Sequence, residues 1–198
     1  MIVRTIAALS GVALLAACGG SDAPSFEERQ EEAMALLDRV SELELSSDAA
    51  VPASGTARFT GVAVVGAETD SFDGEVVTTA LVGDAQVDAN FNSGRLTGSA
   101  TNFFGTVEDG EVRGYAGTLT LSEGDIGVGN SPIALDGRLS GTLSGGGDVV
   151  GVDGLMFGAF LGGPSVQALA MGTVEMDVVA INGVAAPFSG AAIVAERR

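Results

Sequence analysis

Ala85-Gln-Val-Asp-Ala-Asn-Phe-Asn-Ser-Gly-Arg-Leu-Thr-Gly-Ser-Ala-Thr101 is the stretch whose reading decides the fold. Ala85, Val87, Ala89 and Phe91 alternate with Gln86, Asp88, Asn90 and Asn92. A period of two places one set on each side of an extended chain, so this is a strand with one buried face. Asn92-Ser93-Gly94 supplies residues suited to a tight reversal, and the alternation resumes as Leu96, Gly98 and Ala100 against Arg95, Thr97, Ser99 and Thr101. Two such runs around a short turn form an antiparallel hairpin.

The same grammar extends in both directions. Upstream, Ala57-Phe59-Gly61-Ala63-Val65 alternates with Arg58 and Thr60 before Val62 and Val64 break the polarity. Downstream, Gly117, Leu119 and Leu121 flank Thr118 and Thr120, and Leu135-Gly137-Leu139-Gly141-Leu143 flanks Asp136, Arg138, Ser140 and Thr142. Alternating large and small inward residues suits the tapering interior of a small barrel. Gly145-Gly-Gly-Asp148 reads as a loop, followed by a strand near 151–161. Gly162-Gly163-Pro164 breaks the chain, with one helical turn expected over 165–170. Strands near 171–180 and 186–195, joined by the hairpin signal Asn182-Gly183, complete the chain. About eight short, regularly spaced strands predict a mainly β protein: an antiparallel β-barrel over 55–198 that closes on itself and leaves no edge.

One N-terminal amphipathic helix is expected before the barrel, over 25–45. Ser25 and Glu28 have capping-box spacing, and Glu27, Glu28, Glu31 and Glu32 lie near the positive end of the helix dipole. Phe26, Ala33, Leu36, Leu37, Val40 and Leu43 form a stripe at helical spacing. This helix is expected against the barrel wall or across a barrel end, with partner binding as the alternative. Residues 46–54, with Pro52, read as a linker.

Further upstream, Thr5 to Ala17 is a short apolar run behind Arg4 and the Met1 amine. It is too short for a permanent bilayer span and has the form of a bacterial signal peptide over 1–17. Leu15-Ala16-Ala17-Cys18 resembles the lipobox of bacterial lipoproteins. That resemblance implies cleavage between Ala17 and Cys18, lipidation of the Cys18 sulfur, and attachment to the membrane through the acyl chains. Residues 18–24 read as a flexible tether. By similarity to the sorting rule of enterobacterial lipoproteins, Gly19 after the cysteine, in place of an aspartate, implies the outer membrane. The alternative is an ordinary secreted protein with Cys18 left as a thiol.

Composition narrows the chemistry. Formal charge is −17, all nine basic residues are arginine, and there is no histidine. The acidic balance disfavours nucleic acid and anionic lipid surfaces and favours cationic partners. Without histidine, imidazole metal sites and Ser-His-Asp or Cys-His nucleophile pairs are absent. With the single cysteine assigned to lipid, neither a disulfide nor a catalytic thiol remains. No cofactor is expected, and the chain is not expected to be an enzyme. Three weaker groupings remain. Glu175 and Asp177 share one side of a strand, as a carboxylate pair or as a solvated face. Asp148 and Asp153 lie in a glycine-rich stretch whose spacing misses the known calcium loops, which favours an ordinary loop. Phe103, Phe104, Phe157 and Phe160 line an apolar cavity in one reading and form core in the other. A membrane-embedded barrel is disfavoured by the scarcity of aromatic girdle residues: nine Phe, one Tyr and no Trp.

Three segments carry a family resemblance. Ala89-Asn-Phe-Asn-Ser-Gly-Arg-Leu-Thr-Gly98 resembles the recurrent hairpin of the transferrin-binding protein B barrel domain. The segment from Gly158 to Gly172 is similar to that family's glycine-aromatic-glycine segment, helical turn and glycine-led strand, and Phe188 to Arg197 to its last strand. With the lipobox, the resemblance spans 55–198 and lies nearest the single-barrel, transferrin-binding-protein-like group. It implies a non-catalytic binding module at the outer membrane, with a role in solute, iron or host-factor capture. The alternative is a structural or envelope-maintenance lipoprotein with no soluble ligand.

Overall fold

The computed structural model describes residues 26–70, 76–108, 110–174 and 178–198. The expected helix cap Ser25 lies outside them. Helix α1 covers Phe26–Ser41 and is followed by β1 (Thr56–Asp70), β2 (Val76–Asn90), β3 (Arg95–Thr106), β4 (Arg113–Ile126) and β5 (Ala134–Gly145). The chain continues through β6 (Asp148–Leu161), β7 (Ala168–Thr173), the short β8 (Val179–Ile181) and β9 (Val184–Ala185), and β10 (Phe188–Arg197). Each of β1 to β7 pairs antiparallel with its sequence neighbour, and β10 pairs with both β7 and β1. Those eight strands close into an up-and-down barrel.

The hairpin that decided the fold is present in register, with Ala85 opposite Ala100 and Asn90 opposite Arg95. Asn90 Oδ1 accepts hydrogen bonds from the backbone N–H groups of Asn92 (3.1 Å) and Ser93 (3.3 Å), holding the reversal. The expected loop at 145–148 is tighter than its four residues suggest. Gly146 and Gly147, with φ of 61° and 99°, form a two-residue turn between β5 and β6. Positive φ at both central positions is what a type I′ hairpin turn requires, and glycine adopts it without steric cost.

Three sequence expectations are corrected. No helical turn occupies 165–170; β7 begins at Ala168 and pairs with β6, because Ala168 to Thr173 find ladder partners in Leu161 to Met156. The single strand expected over 171–180 is two segments, β7 and β8, both paired to β6 on either side of a break. Asn182-Gly183 does make the expected hairpin, but it joins β8 to the short β9, and β9 is an edge strand.

The helix ends at Ser41, four residues before the expected boundary, and 46–54 is docked. The Gly162 N–H donates to the Glu44 carbonyl (2.8 Å), Ser46 N–H to Phe160 (3.0 Å) and Ser47 N–H to Gly163 (2.8 Å). Leu45 bridges Leu161, Ser46 is buried and Val51 packs on the core. Backbone groups that a helix would have satisfied internally are taken by the rim of the barrel. The segment therefore crosses the barrel end that holds the 91–94 turn and the C-terminus of β10.

Candidate functional site

The barrel interior is filled. Phe59, Phe103, Phe160, Leu119, Leu139 and Met156 point inward and are fully buried. Phe160 stacks on Phe59 (5.7 Å between centroids) and meets Phe91 (5.8 Å) beneath the docked segment. The four phenylalanines considered as a cavity lining do not converge. Phe103 and Phe160 are core, whereas Phe104 faces outward beneath α1 and Phe157 is exposed on the outer wall. A β-bulge just before the Phe103-Phe104 pair decides which of the two faces inward: Asn102 adopts φ of 55°, the β3–β4 register shifts between Ala100 and Phe103, and the inward set changes from even to odd positions.

Tyr115 is one of the polar residues inside. It is buried, and its hydroxyl has no hydrogen-bond partner among the described residues. Burial pushes its phenol above the ordinary range; the Asp148 charge adds to this and Arg113 opposes it.

Outside, the barrel has two unlike faces. From β2 to β5 many outward residues are polar, as in Gln86, Asp88, Thr97, Ser99, Thr118 and Thr120. Arg58–Asp88 (2.7 Å), Arg95–Asp125 (2.8 Å) and Arg138–Asp153 (2.7 Å) are cross-strand ion pairs on the outer wall. Such exposed pairs contribute little to stability. The Asp88 hydrogen bond, and then its charge, raise the Arg58 guanidinium above its ordinary value. On β6, β7 and β10 the outward set is richer in apolar or small residues, among them Phe157, Leu155, Ala170 and Val194, with Val62 beside them on β1. Val62, where strict alternation failed in the sequence, thus has a partner on the outside of the barrel.

That partner is α1. Leu36 and Val40 are buried against Ala168 and Val194, with Leu37, Val62 and Ala170 around them. Alanines on β7 let the helix approach the wall closely. Arg29 lies over the Phe104 ring (4.8 Å) and pairs with Asp84 (3.1 Å), while Asn102 Nδ2 donates to the other Asp84 oxygen (2.8 Å). At the other end, Arg39 makes a two-point pair with Glu196, through Nε (3.1 Å) and Nη2 (3.0 Å). That hydrogen bond, and then the carboxylate charge, raise the Arg39 guanidinium above its ordinary value. Ten residues separate the two arginines, about 15 Å of helix, and β3 to β10 spans three inter-strand steps of about 4.8 Å. The helix therefore runs across the strands on the outer wall and not over a barrel end.

The helix covers only part of the apolar wall. Towards the opposite barrel end, Phe157, Leu155, Val174 and Phe188 remain 39%, 40%, 63% and 56% exposed. Leu155 and Val174 are the residues next after the Met156–Thr173 pair on their two segments, and Phe188 is two residues from Gly190 on β10. All four are exposed large apolar residues on, or next to, β6, β7 and β10, on the side of the wall away from α1. β6 was legible as a strand; its outer face was not, although Val149, Leu155, Phe157, Ala159 and Leu161 leave only Gly151 and Asp153 among its outward positions. A strand apolar at both parities is one whose two faces both seek cover.

The remaining sequence candidates fall as follows. Ala17 and Cys18, the expected cleavage and lipidation positions, lie outside the described residues, as do Glu175 and Asp177. Asp148 and Asp153 sit at opposite parities of β6; Asp148 accepts from Asn182 Nδ2 (3.2 Å) and Asp153 pairs with Arg138, so they do not converge on an ion. No group of three or more carboxylate or thiol side chains placed to hold a metal occurs among the described residues. A shallow groove of about 450 Å³ runs between β5, β6 and β8, with Ser140, Thr142 and Asp153 on its wall. No helix among the described residues is long and apolar enough to cross a membrane.

No family model, curated protein or solved structure matches this chain.

Proposed function

We propose that this chain is a lipid-anchored, non-catalytic binding module of the bacterial outer membrane, in the manner of the transferrin-binding-protein-like lipoproteins that its hairpin and last strand resemble. The observation that carries the reading is the two-faced wall. The lumen is filled with Phe, Leu and Met side chains, while apolar surface is left uncovered outside, on Phe157, Val174 and Phe188. Large apolar side chains gathered on a surface mark interaction sites in soluble domains. Leu15-Ala16-Ala17-Cys18 supports the anchor, and the seven residues 19–25 allow at most about 25 Å of reach between Cys18 and α1. Acyl chains stabilise the attachment by roughly 0.8 kcal/mol per buried CH₂, so two or more chains make it durable.

Fatty-acid labelling of cells producing the wild-type chain or Cys18→Ser, followed by protease shaving of intact cells, tests this function. Label and membrane association that are lost in Cys18→Ser, with a barrel accessible to protease, support capture of external material. A barrel protected from protease favours envelope maintenance, and an unlabelled wild type recovered without detergent overturns the anchor.

A further inference from the structure

The strip left bare by α1 has a chemistry that the helix itself makes explicit. Where α1 lies on the wall, an apolar ridge of Ala33, Leu36 and Val40 meets small and apolar outward residues, and arginines on either side reach acids of the barrel, Arg29 to Asp84 and Arg39 to Glu196. The wall continues past the helix on the same strands with the same composition. In register with Phe188 on β10 is Glu68 of β1, and in register with Phe157 on β6 is Asp136 of β5. An acid thus flanks the bare strip on each side. The arginine at this rim, Arg138, is engaged by Asp153 at 2.7 Å. Gly172, outward on β7 beside Phe157, carries no side chain and keeps the floor low there.

We infer that Leu155, Phe157, Val174 and Phe188 form the docking face for a separate protein segment that presents aliphatic or aromatic side chains flanked by lysine or arginine. This rests on the reading of the barrel as a binding module and names the class of partner. Two other occupants fit less well. A second copy brings another −17 of charge and no lysine, and an anionic lipid surface meets Glu68 and Asp136 with the same sign. A basic amphipathic segment satisfies both the apolar strip and its acidic rim, as α1 does on the adjoining wall.

The test uses the full chain in its own envelope, with the photocrosslinking residue p-benzoylphenylalanine replacing Phe157, Phe188 or, on the polar face, Thr118. The expected result is crosslinking from 157 and 188 to one separate polypeptide, mapped by mass spectrometry to a segment carrying apolar and basic residues. Glu68→Arg should lower that yield about tenfold, the effect of 1.4 kcal/mol. Adducts to lipid or to a second copy, or to an acidic or uncharged segment, overturn the inference. Capture at Thr118 alone also overturns it while leaving the binding-module reading standing; no protein adduct from any position removes both. In a parallel measurement on the detergent-purified chain, a synthetic Leu/Lys peptide should bind at least about tenfold more tightly than its Leu/Glu counterpart. That preference should vanish in Phe157→Ser/Phe188→Ser and persist in Thr118→Ala. An unchanged preference in the double variant means attraction by net charge alone, and the strip is then not the site. Both phenylalanines are substantially exposed, and retention of the wild-type melting profile checks that the variant is folded.

Discussion

Truncating the contact face of α1 should release the helix from the barrel without unfolding the barrel. Leu36 and Val40 are 6% and 3% exposed, against Ala168 and Val194. Leu36→Ala removes three carbons from this contact and Val40→Ala two, a loss of about 4 kcal/mol at roughly 0.8 kcal/mol per buried CH₂ group. The remaining attachments are the Arg29–Asp84 and Arg39–Glu196 pairs and the docked chain after Ser41. Ion pairs open to solvent hold little, and an isolated helix of this length is marginal in water. The double variant should therefore populate a detached, frayed helix roughly a thousandfold more than the wild type does, at 1.4 kcal/mol per tenfold. Hydrogen exchange read by mass spectrometry separates the outcomes, because local opening and global unfolding protect different segments. Peptides covering 26–41 should lose protection while those from β2 to β5 keep theirs. If 26–41 stays as protected as in the wild type, or if all strands lose protection together, α1 is not a separable cover on the wall and the reasoning fails.

Other perturbations probe the barrel. Phe160→Ala should cost about 3–5 kcal/mol in chemical denaturation, since it empties a fully buried site and removes the stack on Phe59 and Phe91. An effect below about 1 kcal/mol would mean that this end of the barrel is not packed as described. Gly83 faces the Phe103 ring, and a β-carbon there would lie 2.7 Å from Cδ1, so Gly83→Val should destabilise by about 1–3 kcal/mol through overpacking, read as a lowered denaturation midpoint. Gly117→Ala should be at least as disruptive, because at φ of 128° its β-carbon would run into the Thr142 carbonyl of β5. Tyr115 is the only tyrosine and there is no tryptophan, so absorbance titration reads its phenol directly. Ionisation should occur above the usual value of about 10. Because the unfolded chain releases this proton at lower pH than the folded one, stability should fall as pH rises past about 10. A phenol that titrates at its ordinary value would show that Tyr115 is not desolvated.

The strand pattern and barrel class were legible because period-two alternation is a local property: Ala85 to Phe91, Leu96 to Ala100 and Leu135 to Leu143 each carry their inward face in their own residues. The turns at Asn92-Ser93-Gly94 and Asn182-Gly183 were legible for the same reason. The bulge at Asn102 was not. A shift of inward parity depends on which residues the neighbouring strands supply, here Asp84 receiving the Asn102 side chain. That is why Phe103 and Phe104, adjacent and chemically identical, ended in the core and beneath an arginine respectively. The segment 46–54 was likewise unreadable, since its hydrogen bonds go to residues 160 and 163.

By itself, then, the sequence determined the strand-rich composition, the antiparallel hairpins, the amphipathic helix before the first strand and the absence of imidazole chemistry. Each of these depends on residue identity or short-range spacing. Only the tertiary structure decided which apolar residues had company. Val62 and Val194 break the alternation of their strands as Leu155 and Phe157 do, but Leu36 and Val40 of the helix rest on the first pair and leave the second in the open. That division is set by where a helix from the start of the chain crosses strands from its beginning and end, a long-range contact that no local pattern encodes.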